Sequence, residues 1–102
     1  AASDEGVFES VNLFVQSFRD HDSKWIRAGL ILLAGGEYDD QREWVGEHLR
    51  HPEPLVRETA LDVFLSNESS REAVVVECNR SIADSCAAVV RLARRKLKTL
   101  EA

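Results

Sequence analysis

Sulfur, proline and glycine are scarce in this 102-residue chain, which holds two cysteines, two prolines, five glycines and no methionine. So few prolines and glycines leave steric room for long regular elements. Two cysteines, Cys78 and Cys86, cannot build a disulfide framework and read as buried reduced thiols. No apolar run approaches the ~20 residues that span a bilayer. The longest, AGLILLA at 28–34, has the length of a buried helix segment. Sustained apolar–polar alternation is also missing, which removes the signal of a half-buried strand. Glycine-rich phosphate loops, nucleophile elbows and zinc-protease motifs are absent. The expectation is a protein that is not an enzyme and needs no cofactor. No charged, apolar, small-residue leader opens the sequence. A cytoplasmic location without membrane insertion is the matching expectation.

What is present is helical in character. The chain is 44% hydrophobic and 30% charged, ordinary values for one folded domain over residues 1–102. Apolar residues recur at three- and four-residue intervals. That spacing predicts an all-α domain of about six helices. The first covers about residues 6–19. The second starts after Asp22 or Ser23 and stops at Gly35-Gly36. A third begins at Asp40, with Glu43 completing a capping box, and ends near Arg50. The fourth follows HPEP, with Pro52 in its first turn, and ends near Ser66-Asn67. Ser69 and Glu72 announce a fifth through the Val74–Val76 run, and Asp84-Ser85 a sixth running to about Leu100. Connections this short make neighbouring helices antiparallel, giving three hairpins in series.

The hairpins share a pattern. KWIRAGLILLA, PLVRETALDVF and AVVRLARRKLK each place an apolar residue (Ile26, Val56, Val90) before an arginine (Arg27, Arg57, Arg91). Six residues after each arginine stands Leu33, Val63 or Leu97, and a small residue (Gly29, Ala60, Ala93) falls between. Residues 51–60, HPEPLVRETA, resemble the second helix of the HEAT-repeat family, including the HEAT-like repeats of phycobilisome lyases. That resemblance implies an α-solenoid of three stacked antiparallel hairpins, with repeats at about 6–36, 39–67 and 69–101. It also implies that Arg27, Arg57 and Arg91 form a structural ladder, each bonding to loop or helix-end groups of an adjoining repeat. One such hairpin cannot bury its apolar face alone, whereas stacking three makes a continuous core.

Candidate chemistry is thin. His48 and His51 beside Glu47 lack a third metal ligand, and His51 reads as a helix-start residue in place of an aspartate cap. Glu37, Asp39 and Asp40 read as a solvated turn and cap, and Trp25 and Trp44 as core or groove-edge residues. The net charge of −5 weighs against nucleic acid. The last helix is nevertheless basic, with Arg91, Arg94, Arg95, Lys96 and Lys98 in eight positions. The leading expectation is a scaffold that binds another protein, or another domain of its own polypeptide, through the exposed face of helices two, four and six. Lys24, Glu58, Asp62, Arg94 and Lys98 are its candidate contacts. The alternatives are a nucleic-acid or phosphate-binding module built on the last helix, and a regulatory domain of a larger enzyme or transporter.

Overall fold

The computed structural model describes residues 24–101, and every regular element in them is helical. The expected first helix, at about 6–19, lies outside the described residues. Five α-helices follow it: α1 (Lys24–Ala34), α2 (Tyr38–His48), α3 (Pro54–Asn67), α4 (Arg71–Ser81) and α5 (Ala87–Glu101).

The boundaries differ from the sequence expectation in instructive ways. Gly35-Gly36 does not end α1 with a left-handed residue, because no glycine among the described residues has a positive φ. The chain instead tightens into a single 3-10 turn, Gly35–Glu37, and passes straight into α2. That turn satisfies helix-end carbonyls by the shorter bonding pattern. Asp40 therefore caps nothing; it sits with Asp39 in the first turn of α2, where carboxylates complement the helix dipole. In α3 the first-turn proline is Pro54, not Pro52. A residue before proline is driven out of the α region, so Glu53 is extended and Pro52 stays in the loop. The cap of α4 is Ser70 rather than Ser69, its Oγ accepting from the Ala73 amide at 3.2 Å. The Val74–Val76 run is helical, as its context requires.

Burial follows the helical period. Tyr38, Gln41, Trp44, Val45 and His48 form the inner face of α2, and Val74, Glu77, Cys78 and Ser81 that of α4. Helix α3 is buried on more than one side, through Val56, Thr59, Ala60, Leu61, Val63 and Leu65. It must be, because α1, α2 and α5 all pack against it. Helices α1, α3 and α5 lie side by side in that order, while α2 pairs with α3 and α4 with α5. Ile31, Val45, Val56 and Leu61 are fully enclosed at the centre. Helix α1 is less covered than its composition suggests: Leu30 and Ile31 face inward, but Leu32 and Leu33 remain exposed. Leu32 is turned about 200° from Leu30 and so leaves the face that α3 covers.

Candidate functional site

Two of the three aligned arginines reach the turn of the hairpin that follows. Arg27 Nη1 lies 3.0 Å from His48 Nε2, at the end of α2. A guanidinium cannot accept, so Nε2 is the acceptor and the ring proton sits on Nδ1. From there it is donated to the Trp44 carbonyl at 2.7 Å. Arg57 is more fully engaged. Its Nε and Nη2 donate to the two carboxylate oxygens of Asp84 at 2.9 and 3.0 Å. Its Nη1 donates to the His51 and Pro52 carbonyls. This bidentate geometry suits a planar guanidinium, and both side chains are only 14% exposed. Arg91 is exposed and has no carboxylate partner among the described residues.

Between the two arginines the His48 and His51 rings stack, centroids 5.7 Å apart and planes 8° from parallel. His51 lies beyond the end of α2, yet its ring meets that of His48. Both His48 nitrogens and His51 Nδ1 are committed to structure: His51 Nδ1 accepts from the Glu53 amide at 3.1 Å, as an aspartate at that position would. No group of three or more His, Cys, Asp and Glu side chains able to hold a metal occurs among the described residues. The result is a polar seam, Arg27–His48–His51–Arg57–Asp84, running along the inter-helix turns.

The seam makes stability sensitive to pH. Burial first, then the charge of Arg27 and the neighbouring His48, depresses His51 below its ordinary value of 6.5, with Arg57 adding to this and Glu53 opposing it. The hydrogen bond from Arg57 holds Asp84 below the usual carboxylate range. A depressed pKa means that the folded state binds fewer protons than the unfolded one. The His51 contribution is therefore complete above pH 6.5 and lost as pH falls through its lower folded value. The Asp84 contribution persists until pH falls through its own, more acid, folded value. Urea titrations across pH are expected to show two separate losses. His51→Asn, which keeps an acceptor for Glu53, is expected to abolish the upper one. An unchanged upper loss in that variant would assign it to another group.

Two further polar contacts had no sequence signal. Arg50 binds the buried carboxylate of Glu77, which also accepts from Ser81. Tyr38 donates to Glu68 at 2.9 Å, and Arg42 pairs with the same carboxylate; burial and Glu68 push the Tyr38 phenol well up. Each links groups 27 to 30 residues apart. Only the folded packing, not local spacing, brings such partners together. Cys78 is enclosed in the core and its thiol is raised by burial. Cys86 is half-buried, and neither is in a disulfide.

The candidate contacts divide among three helices. Lys24 is the first residue of α1, and its side chain lies outside what is described. Glu58 is half-buried and Asp62 exposed on α3, one turn apart on one face; Arg94 and Lys98 are exposed on α5. Between α3 and α5 runs an open groove of about 230 Å³, with Asp62, Leu65 and Ser66 on one side and Leu92, Arg95 and Lys96 on the other. It brings Asp62 to the same depression as the basic helix, a juxtaposition that depends on α3 and α5 being neighbours. Trp44, by contrast, is 2% exposed and belongs to the core. No described helix is long and apolar enough to cross a membrane.

No protein-family profile, no curated protein and no solved structure matches this chain. The geometry defines an all-helical domain in which α2–α3 and α4–α5 are paired helices and α1, α3 and α5 form one row.

Proposed function

We propose that this chain is a non-enzymatic scaffold of HEAT-like hairpins that binds another protein through the row formed by α1, α3 and α5. The observation that carries the reading is the repeated arginine contact. Arg27 and Arg57, thirty residues apart, each tie the second helix of one hairpin to the turn of the next. Stacked repeats held in this way align their second helices into one continuous surface. On that surface the exposed side chains of α3 and α5 surround an open groove, as binding sites of helical arrays do.

A photo-crosslinking residue at Asp62, on the α3–α5 side, compared with one at Glu43, exposed on α2, tests the assignment. In a lysate of the source cells, a discrete protein adduct is expected from position 62 and none from 43. Adducts from 43 alone, or from neither, would sink the proposal. A second reading, nucleic-acid or phosphate binding, is favoured by α5, whose Arg91, Arg94, Arg95 and Lys98 are all exposed. It predicts a salt-sensitive mobility shift with DNA or RNA that is abolished in the R94E/R95E variant.

A further inference from the structure

Two helices of the fold carry opposite charge. Helix α2 holds four carboxylates, Asp39, Asp40, Glu43 and Glu47, against one arginine, Arg42. Helix α5 holds five cations, Arg91, Arg94, Arg95, Lys96 and Lys98, against one carboxylate, Glu101. On α2, Asp40, Glu43 and Glu47 are exposed at i, i+3 and i+7, which places them on one face. On α5, Arg91, Arg94 and Lys98 are exposed at the same intervals, with Arg95 beside them. Buried Gln41, Val45 and His48 take the other side of α2, and Val89 and Ala93 that of α5.

Neither stripe is neutralised within the chain. No side chain in either one has an ion-pair partner among the described residues, although like charges at this spacing repel along a helix. The helix dipole accounts for part of the pattern. Asp40 lies in the first turn of α2 and Lys98 in the last turn of α5, and the effect does not reach further. Glu43, Arg91 and Arg94 fall outside those turns. Glu47 stands beside the C-terminal residue of α2, where a negative charge is disfavoured. The two stripes also restrict the partner. Polyanionic nucleic acid would satisfy α5 but is repelled by α2 and by a net charge of −5. A lipid surface asks for exposed apolar side chains beside the cations, and the apolar side of α5 is turned into the core. A second copy of this chain satisfies both stripes, and in register. Laid parallel, positions 40, 43 and 47 meet 91, 94 and 98; laid antiparallel, 47, 43 and 40 meet 91, 95 and 98.

We infer that copies of this chain associate through their outer faces, the acidic stripe of α2 in one copy lying along the basic stripe of α5 in the next. The inference goes beyond the protein-binding reading, whose groove lies between α3 and α5. A contact made of two different surfaces joins copies head to tail. Exposed ion pairs are individually weak, so this one is populated at ~millimolar chain and not in a dilute lysate, where a crosslinking residue at position 43 remains a blank. It acts where a shared partner holds copies together, since tethering raises the effective concentration into the ~millimolar range.

Small-angle scattering of the full chain reads the association as an apparent mass. At low ionic strength and ~1 mM chain, the wild type is expected to reach about 1.5 times the mass of one chain, the value for a Kd of ~1 mM. In ~1 M salt, where screening acts within ~3 Å, it is expected to fall back to the mass of one chain. The D40K/E43K/E47K variant has basic stripes on both helices, and R91E/R94E/R95E/K98E has acidic stripes on both. Each alone is expected to keep its helical circular dichroism and the mass of one chain, and their equimolar mixture to recover the wild-type value. A wild type that stays at the mass of one chain at low ionic strength would overturn the inference. So would an association that ignores salt or survives in both variants, or a mixture of the two folded variants that stays apart. If a variant loses its helicity, the salt series of the wild type decides. A wild type that remains single and yet shifts an oligonucleotide would assign α5 to nucleic acid. A protein adduct from position 62 without self-association would leave the scaffold reading standing and remove this one.

Discussion

Arg57→Ala is expected to destabilise the domain by about 2–4 kcal/mol, a large share of the ~5–15 kcal/mol available to a chain of this size. The magnitude follows from what the side chain leaves behind. Asp84, 14% exposed, would keep only the Cys86 amide, at 2.7 Å, in place of two guanidinium bonds. The His51 and Pro52 carbonyls would lose their shared donor as well. An unpaired group in a shielded site costs more than the intact pair contributes. Arg57→Lys is expected to recover little, because an ammonium cannot address both carboxylate oxygens and two carbonyls from one stem. Removing both partners, in R57A/D84A, is expected to lose less than the sum of the single variants. Denaturant titrations of the four proteins measure this directly. A loss under ~0.5 kcal/mol for Arg57→Ala would class the pair with exposed ion pairs and weaken the argument that it joins successive hairpins.

Trp44→Ala carries the other large effect, an expected loss of about 3–5 kcal/mol. The indole is 2% exposed and sets its edge against His48, with ring centroids 4.8 Å apart. Its removal leaves a void beside the ring that Arg27 holds from the other side. The seam should therefore loosen together with the core. Trp44→Phe is expected to restore most of the stability, since it refills much of the space. Calorimetry of both variants decides the matter. A Trp44→Ala protein that melts with the wild type would mean the side chain is not part of the packed centre.

Much of this architecture is legible in residue spacing. The helical period of the apolar residues gave the helices, and in α3 the stripe of Val56, Ala60 and Val63 is buried; in α4 the valine run did not give the inner face, since Val76 is exposed and Glu77 and Ser81 are buried. The alignment pointed to Arg27, Arg57 and Arg91 alike; the first two reach the next turn, whereas Arg91 is exposed and has no carboxylate partner among the described residues. His51 does not cap α3 as its place before Pro-Glu-Pro suggested: the cap is Glu53, and His51 accepts from the Glu53 amide in the loop before it. The misplacements were local. Asp40 and Ser69 satisfy the letter of a capping rule, but which amide is left without a partner depends on where the preceding turn ends. Pro52 and Pro54 compete for the same role, and the conformation that Pro54 imposes on Glu53 decides it.

The candidate site was harder to see for a different reason. Glu58 and Asp62 could be chosen as exposed positions of one helix, and Arg94 and Lys98 of another. Nothing in their order says that Asp62 and Arg95 line one groove, or that its floor is Leu65 and Leu92. Arg50 with Glu77 and Tyr38 with Glu68 are hidden in the same way.

The sequence by itself determined that residues 24–101 are helical and that an arginine recurs ahead of each apolar stripe. The helices follow from a 3.6-residue period and from proline, which act within a few residues. Only the tertiary structure decided which turn each arginine meets, which histidines stack and which charges face each other across α3 and α5. The arginine pairings join residues 21 and 27 positions apart, and they exist only once the helices have packed side by side.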